Sequence, residues 1–198
     1  MTHNTPYRLG LTGGIAAGKS EVQRILTEQG IPVLDTDRVA HEVMKAGSNV
    51  HQQIVQRFGR EILLENQEIN RKRLGEIVFG DESARRDLNG IVHPEVGNRW
   101  RSWMNRQSDP LVVVSIPLLF ECGLQMYFDG VLCVWAPESL MMKRLLSRGL
   151  NEEQAQQRIQ SQWSVDRKRN ASTWALVNDG SLEDLRDQVL EWLHQFFS

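Results

Sequence analysis

Apolar residues fall along the chain in two alternating patterns. Short continuous runs read as strands: Arg8-Leu9-Gly10-Leu11-Thr12, Ile31 to Leu34, Leu111 to Ile116, Val131 to Trp135 and Trp174 to Val177. The third is apolar almost throughout, as expected of a strand covered on both faces. Between these runs, apolar residues recur at helical spacing. Val22, Ile25 and Leu26 mark a helix from Ser20 to Gln29, closed by Gly30 and Pro32. Further helices are predicted over Glu138 to Ser147, Asn151 to Lys168 and Leu182 to Phe197. Strands alternating with helices indicate right-handed βαβ units and a parallel sheet.

The stretch from Asp37 to Gln107 breaks this rhythm and reads as almost entirely helical. Val50, Ile54, Val55 and Phe58 share one segment, and Leu74, Ile77 and Val78 another. Leu88, Val92, Val96, Trp100 and Trp103 form a stripe of near four-residue steps. Pro94 is expected to kink or restart that helix, because it lacks an N–H and crowds the preceding turn. About 70 residues are thus inserted between the second and third strands. The predicted division is a nucleotide-binding core, 8–36 and 108–198, around a helical region, 37–107. Ligands of open α/β sheets sit at the carboxyl ends of strands, where this insertion begins, so a substrate-gripping role is expected of it.

The chain has 198 residues, room for one domain with a small insertion. With 40% hydrophobic and 24% charged residues it is neither disordered, collagen-like nor a coiled coil. A net charge of -2 excludes an all-over basic surface, and no nucleic-acid partner is expected. Cys122 and Cys133 stand without a CxxC or a Cys/His cluster, which argues against zinc or disulfides. Both are expected to be buried free thiols. The longest mainly apolar run, Pro110 to Phe120, falls short of the roughly 20 residues of a membrane span. Met1 to Pro6 has neither a basic start nor an apolar core, so no signal peptide is read there. A soluble cytoplasmic protein, monomeric or a small homo-oligomer and without membrane partners, is expected.

Gly13-Gly14-Ile15-Ala16-Ala17-Gly18-Lys19-Ser20 fits G-x-x-x-x-G-K-[ST] without mismatch, after a predicted strand and opening a predicted helix. Its glycines allow a tight turn that brings backbone N–H groups to phosphate oxygens, and the helix N-terminus faces the anion. Lys19 would reach the β- and γ-phosphates and Ser20 would hold Mg²⁺. The guanine-reading N-K-x-D is absent, and Asp87-Leu88-Asn89-Gly90 matches D-x-x-G only within a helical pattern. The strong strand ends in Ser115-Ile116-Pro117 without a closing carboxylate, which weakens an ATPase-motor reading. The candidate carboxylates are Asp35 and Asp37, which follow the second strand. A carboxylate there can accept a hydroxyl proton or bind Mg²⁺ through water. The alternative is an N-cap of the next helix.

Together these segments resemble the dephospho-CoA kinase family. The resemblance rests on Leu9-Gly10-Leu11-Thr12-Gly13-Gly14-Ile15, Gly18-Lys19-Ser20, Asp35-Thr36-Asp37, His93-Pro94, Pro117-Leu118-Leu119-Phe120-Glu121 and Asn178-Asp179-Gly180, in order and spacing. Arg71 with Leu74 to Phe79 resembles a further family segment. The resemblance implies ATP-dependent phosphorylation of the ribose 3′-hydroxyl of dephospho-CoA, the last step of coenzyme A synthesis. It implies that Gly13, Gly14 and Ala16 to Glu21 hold ATP with Mg²⁺ on Ser20 and Asp35, and that Asp35 is the base. It implies that Asp37, His41, Arg71, His93 and Glu121 contact substrate in or beside the helical region. Lys143, Arg144 and Arg148 resemble a lid closing over ATP, spanning about 139–165 by that likeness, with Arg144 catalytic. The chain departs from the family pattern at Ala16-Ala17 (usually Gly-Ser), Glu21 (Thr), His41 (Arg) and Met141 (Gln).

From Lys143 to Arg169 there are seven basic and three acidic residues, enough for a flap that neutralises transferring phosphate. Arg158 lies on the next helix. Arg167-Lys168-Arg169 reads as a solvated or helix-ending cluster. Glu121 is left with alternatives: pairing a lid or substrate cation, or orienting a loop. Trp100 and Trp103 are expected in the core, Trp192 on the last helix's buried face, and His3, His51 and His194 on the surface. The expected fold is a P-loop kinase with a five-stranded parallel sheet, order 2-3-1-4-5, flanked by helices. The alternatives are another small-molecule or nucleotide kinase and a non-catalytic nucleotide-binding homologue.

Overall fold

A computed structural model of the chain describes residues 5–198, leaving out the side chains at 79 and 80; His3 and the residues around it lie outside the described residues. Five strands form one sheet in the order β2-β3-β1-β4-β5: β1 Tyr7–Gly13, β2 Val33–Asp35, β3 Leu111–Ser115, β4 Gly130–Trp135 and β5 Trp174–Val177. The predicted order is the observed one. β1 runs parallel to β3, with Leu9 beside Val113, and parallel to β4, with Leu11 beside Leu132. β4 and β5 are parallel as well. All five β3 residues are buried, which explains their unbroken apolar run.

The chain divides into two units. The first comprises the chain through Leu34 together with Gln107–Ser198; the second is Asp35–Arg106. In the first unit, α1 (Lys19–Glu28) and α9 (Leu182–Phe197) press Val22, Ile25, Leu26, Leu185, Val189 and Leu193 onto the sheet residues Leu9, Leu11, Leu132 and Val134. Gly30, at φ 77°, ends the α1 turn, and Ser181 starts α9 with a capping box to Asp184.

The second unit holds α2 (Thr36–Val43), α3 (Asn49–Phe58), α4 (Arg71–Gly80) and α5 (Glu82–Met104), plus a 3₁₀ turn at Arg60–Ile62. Val39, Val43, Val50, Ile54, Phe58, Leu74, Val92 and Trp100 are buried. Trp103 is half-buried. Pro94 does not restart its helix: α5 is one helix of 23 residues. Gly90, four residues earlier, is exposed, so water can satisfy the carbonyl that Pro94 leaves without a partner. His51, expected at the surface, is buried, with its Nε2 2.8 Å from the Gln67 carbonyl.

Two further expectations are corrected in the first unit. The helix read over Asn151 to Lys168 is two helices, α7 (Glu152–Gln160) and α8 (Val165–Ala171). Ser164 caps α8 by accepting from the Arg167 N–H, so the chain starts a new helix there. Cys122 is exposed, whereas Cys133 is buried in β4. Between β4 and α7 lies α6 (Glu138–Ser147). Among the described residues, no helix is long and apolar enough to cross a membrane.

Candidate active site

The phosphate-loop sequence joins β1 to α1. Its turn begins with the Ala17 N–H donating to the Gly14 carbonyl (3.1 Å) and ends at Gly18, the N-cap of α1. Gly18 has φ 107°, open to glycine and strained for other residues. A Cβ there would lie 2.0 Å from Asn178 Nδ2. Gly13 and Gly14 are equally confined, by the Val134 carbonyl and by the Met141 sulfur, each 2.6 Å from a built Cβ. The N-terminal N–H groups of α1 and its positive dipole end lie where the loop closes.

The loop carbonyls are held from outside. Asn178 Nδ2 donates to Ala17 O (2.7 Å), Arg144 Nη1 to Ala16 O (3.2 Å) and Lys168 Nζ to Gly13 O (3.4 Å). Arg144 Nη2 also donates to Asn178 O (3.2 Å), joining α6, the loop and the end of β5. Burial, and then the neighbouring Arg148, hold the Arg144 guanidinium below its usual pKa. It stays charged at neutral pH. Arg148 is the exposed C-cap of α6, Lys143 is exposed on α6, and Arg158 is exposed on α7.

Lys19 Nζ donates to Ser115 Oγ (2.8 Å), which also accepts from Gln23 Nε2. A hydroxyl therefore stands where a carboxylate was missing at the end of β3. Ser20 is exposed in the first turn of α1.

Of the departures from the family pattern, Ala17, Glu21 and Met141 have local explanations, whereas nothing in the structure explains Ala16 or His41. Ala16 adopts φ 58°, the left-handed region, so this alanine carries backbone strain. Ala17 and Met141 are buried together with Ala136 and Val165, so Met141 is a core residue behind the loop. Glu21 is paired with Arg24 at 2.5 Å, and that hydrogen bond holds its carboxyl below the ordinary range. Its charge is answered within its own helix.

In the second unit, Asp35 ends β2 and is the N-cap of α2, its Oδ1 accepting from the Asp37 N–H (2.9 Å). Asp37 and His41 are exposed on α2, Arg71 opens α4 and is exposed, and His93 is exposed on α5. Partial burial still holds the His93 imidazole below its ordinary value of 6.5. The N-cap alternative therefore falls to Asp35, while Asp37, two residues on, donates its N–H to that cap.

Glu121 pairs with Lys168, Oε1 to Nζ 2.9 Å. Lys168 has no exposed surface, which overturns its reading as a solvated residue. Its aliphatic stem and ammonium are enclosed because α8 starts at Ser164 and turns that face inward. Sequence reasoning missed Lys168, Ser115 and the Asn178 amide as parts of the site. Asn178 stood in a quoted motif without a role, and the other two carried no local signal.

Among the described residues, no cluster of three or more His, Cys, Asp or Glu side chains could hold a metal ion. Mg²⁺ in phosphoryl-transfer sites takes one or two side-chain oxygens plus phosphate and water. A Ser20 hydroxyl exposed in the first turn of α1, directly after the loop, fits that requirement.

Comparison with known proteins adds an independent line. The sequence profile described as dephospho-CoA kinase matches residues 7–184. The dephospho-CoA kinase of Bacillus licheniformis is 43% identical over 189 residues, spanning 93% of this chain and 94% of its own. A solved structure from Thermus thermophilus superposes with a TM-score of 0.81 at 34% identity, covering 96% of this chain and 97% of that one. The dephospho-CoA kinase structure from Campylobacter jejuni gives a TM-score of 0.72 at 27% identity, covering 96% of both chains.

Proposed function

The chain belongs to the dephospho-CoA kinase family, and on that premise we propose how its residues share the transfer of the ATP γ-phosphate to the ribose 3′-hydroxyl of dephospho-CoA. Phosphoryl transfer asks a protein mainly for positioning and charge neutralisation. In this reading the amides of Gly14 to Ser20 and the α1 N-terminus hold the phosphate chain. Lys19 leaves Ser115 for the β- and γ-phosphates, a short swing for a flexible ammonium. Arg144 and Arg148 supply positive charge from α6. Ser20 and Asp35 would hold Mg²⁺, which would supply positive charge to the transferring phosphate.

Asp35 accepts the hydroxyl proton. It ends a strand of the parallel sheet, and carboxyl ends of parallel strands share one edge. Its N-cap bond fixes one oxygen and so orients the other. Asp37, His41, Arg71 and His93 bind the acceptor from the helical unit.

The observation that carries the reading is the loop itself. A Cβ built at Gly13, Gly14 or Gly18 would lie within 2.6 Å of a neighbouring atom, and the family match spans all three. A coupled ADP-release assay tests it, with dephospho-CoA and then nucleoside monophosphates as acceptors. Release with dephospho-CoA alone is expected, with phosphorus NMR placing the new phosphate on the 3′-oxygen. Release with a nucleotide alone would sink the reading.

A further inference from the structure

One buried charge beside the loop has no part in the chemistry above. Lys168 Nζ reaches four oxygens: Pro117 O at 2.7 Å, Glu121 Oε1 at 2.9 Å, Gln162 Oε1 at 3.3 Å and Gly13 O at 3.4 Å. An ammonium has three hydrogens, so the four acceptors share them. Glu121 Oε1 also accepts from the Trp163 N–H (2.9 Å), and Thr12 Oγ1 donates to Pro117 O (3.2 Å). The Trp163 ring stacks on Phe120 at 5.8 Å, and the Arg167 guanidinium lies 3.4 Å from the Trp163 ring centroid. One ammonium thus ties the end of β1, the segment after β3 and the α7–α8 connection.

Stability does not account for this arrangement. A buried ion pair is often no more stabilising than apolar side chains of the same volume. Glu121 Oε2 is buried with no hydrogen bond among the described residues, a further cost. The bond to Gly13 O offers another reason. A loop that cradles an anion must turn N–H groups inward and carbonyls outward, since an inward carbonyl repels phosphate. Gly13 O, Ala16 O and Ala17 O are each held by an outside donor: Lys168, Arg144 and Asn178.

We propose that Lys168 is a positioning residue of the phosphate loop, anchoring the Gly13 carbonyl so that the following amides face the polyphosphate. Glu121 acts through Lys168, fixing its ammonium. The proposal rests on the phosphate-loop reading and deepens it.

The test is the double variant Lys168→Met/Glu121→Gln. It removes both charges and keeps a side-chain acceptor for the Trp163 N–H, so no carboxylate is left buried alone. Binding of inorganic tripolyphosphate, which can engage the loop only, is measured by calorimetry beside binding of adenosine. The expected result is a tripolyphosphate Kd raised about 10- to 100-fold, with adenosine affinity unchanged. The ATP KM should rise in parallel, while the folded fraction, read from the thermal transition, stays that of the wild type. A folded double variant that binds tripolyphosphate like the wild type overturns the proposal and leaves the kinase reading standing. Equal losses for both ligands also overturn it, since they report a general disturbance. Should the double variant not fold, Lys168→Arg is measured in the same way and judged by the same two outcomes. Wild-type protein that binds no tripolyphosphate overturns the loop reading itself.

Discussion

Gly18→Ala brings the loop geometry to a number. The new methyl would sit on a backbone at φ 107° and 2.0 Å from Asn178 Nδ2. Left-handed backbone costs an L residue about 1–2 kcal/mol. Displacing the Asn178 amide breaks its 2.7 Å bond to Ala17 O. A buried acceptor left without its donor costs about 1–3 kcal/mol. Together the variant should lose about 2–5 kcal/mol of the roughly 5–15 kcal/mol available to a domain. Asn178→Ala alone loses only the hydrogen-bond component, about 1–3 kcal/mol. In that background Gly18→Ala meets no amide and retains only the backbone cost. The double variant should therefore be more stable than the sum of the singles predicts, by about 1–3 kcal/mol. Urea unfolding of the four proteins, followed by tryptophan fluorescence, measures the coupling. Additivity within about 0.5 kcal/mol would refute the claim that Asn178 is what confines Gly18.

Lys19→Ala should abolish turnover in the ADP-release assay with the thermal transition little changed; near-normal rates would contradict a role for Lys19 at the phosphates. Asp35→Asn keeps an N-cap of equal quality, so α2 should stay intact while kcat falls about 10²–10⁴-fold. A kcat within a few-fold of the wild type would remove Asp35 from proton transfer. The His93 imidazole should titrate by NMR with a midpoint below 6.5, since burial disfavours its charged form. Its contribution to stability is full above about 6.5 and fades as pH falls through the lower folded-state value, because the unfolded chain takes up the proton first. A thiol reagent at neutral pH should label exposed Cys122 in the folded protein and reach Cys133, buried with its thiol pushed up to about 11, only on unfolding.

The sheet was legible because its three central strands are covered on both faces and therefore largely apolar, as in Leu111 to Val114. The phosphate loop was legible because close packing of backbone against backbone or side chain leaves room only for glycine, so spacing alone carries the geometry. The partners of that loop were not. Lys168 sits between two arginines, a context that reads as solvated, and only the fold reveals the oxygens around it. The α7–α8 break depends on the Ser164 cap and on Glu121 taking the Trp163 N–H from 42 residues away. Periodicity through Ile159 and Val165 could not show it. Cys122 differs from Cys133 in the same way: neighbours distant in sequence decide which thiol meets water.

The strand order carries a consequence for how the protein is made. β3 lies between β2 and β1, so two strands that are consecutive in the chain are not neighbours in the finished sheet. While a ribosome is still producing the helical stretch, β1 has neither of its flanking strands, since β3 begins at Leu111 and β4 at Gly130. Sequence-distant pairing of this kind is slow and leaves apolar edges uncovered in the nascent chain. The phosphate cradle is therefore encoded well ahead of the strands that flank β1, and takes shape only once they have emerged.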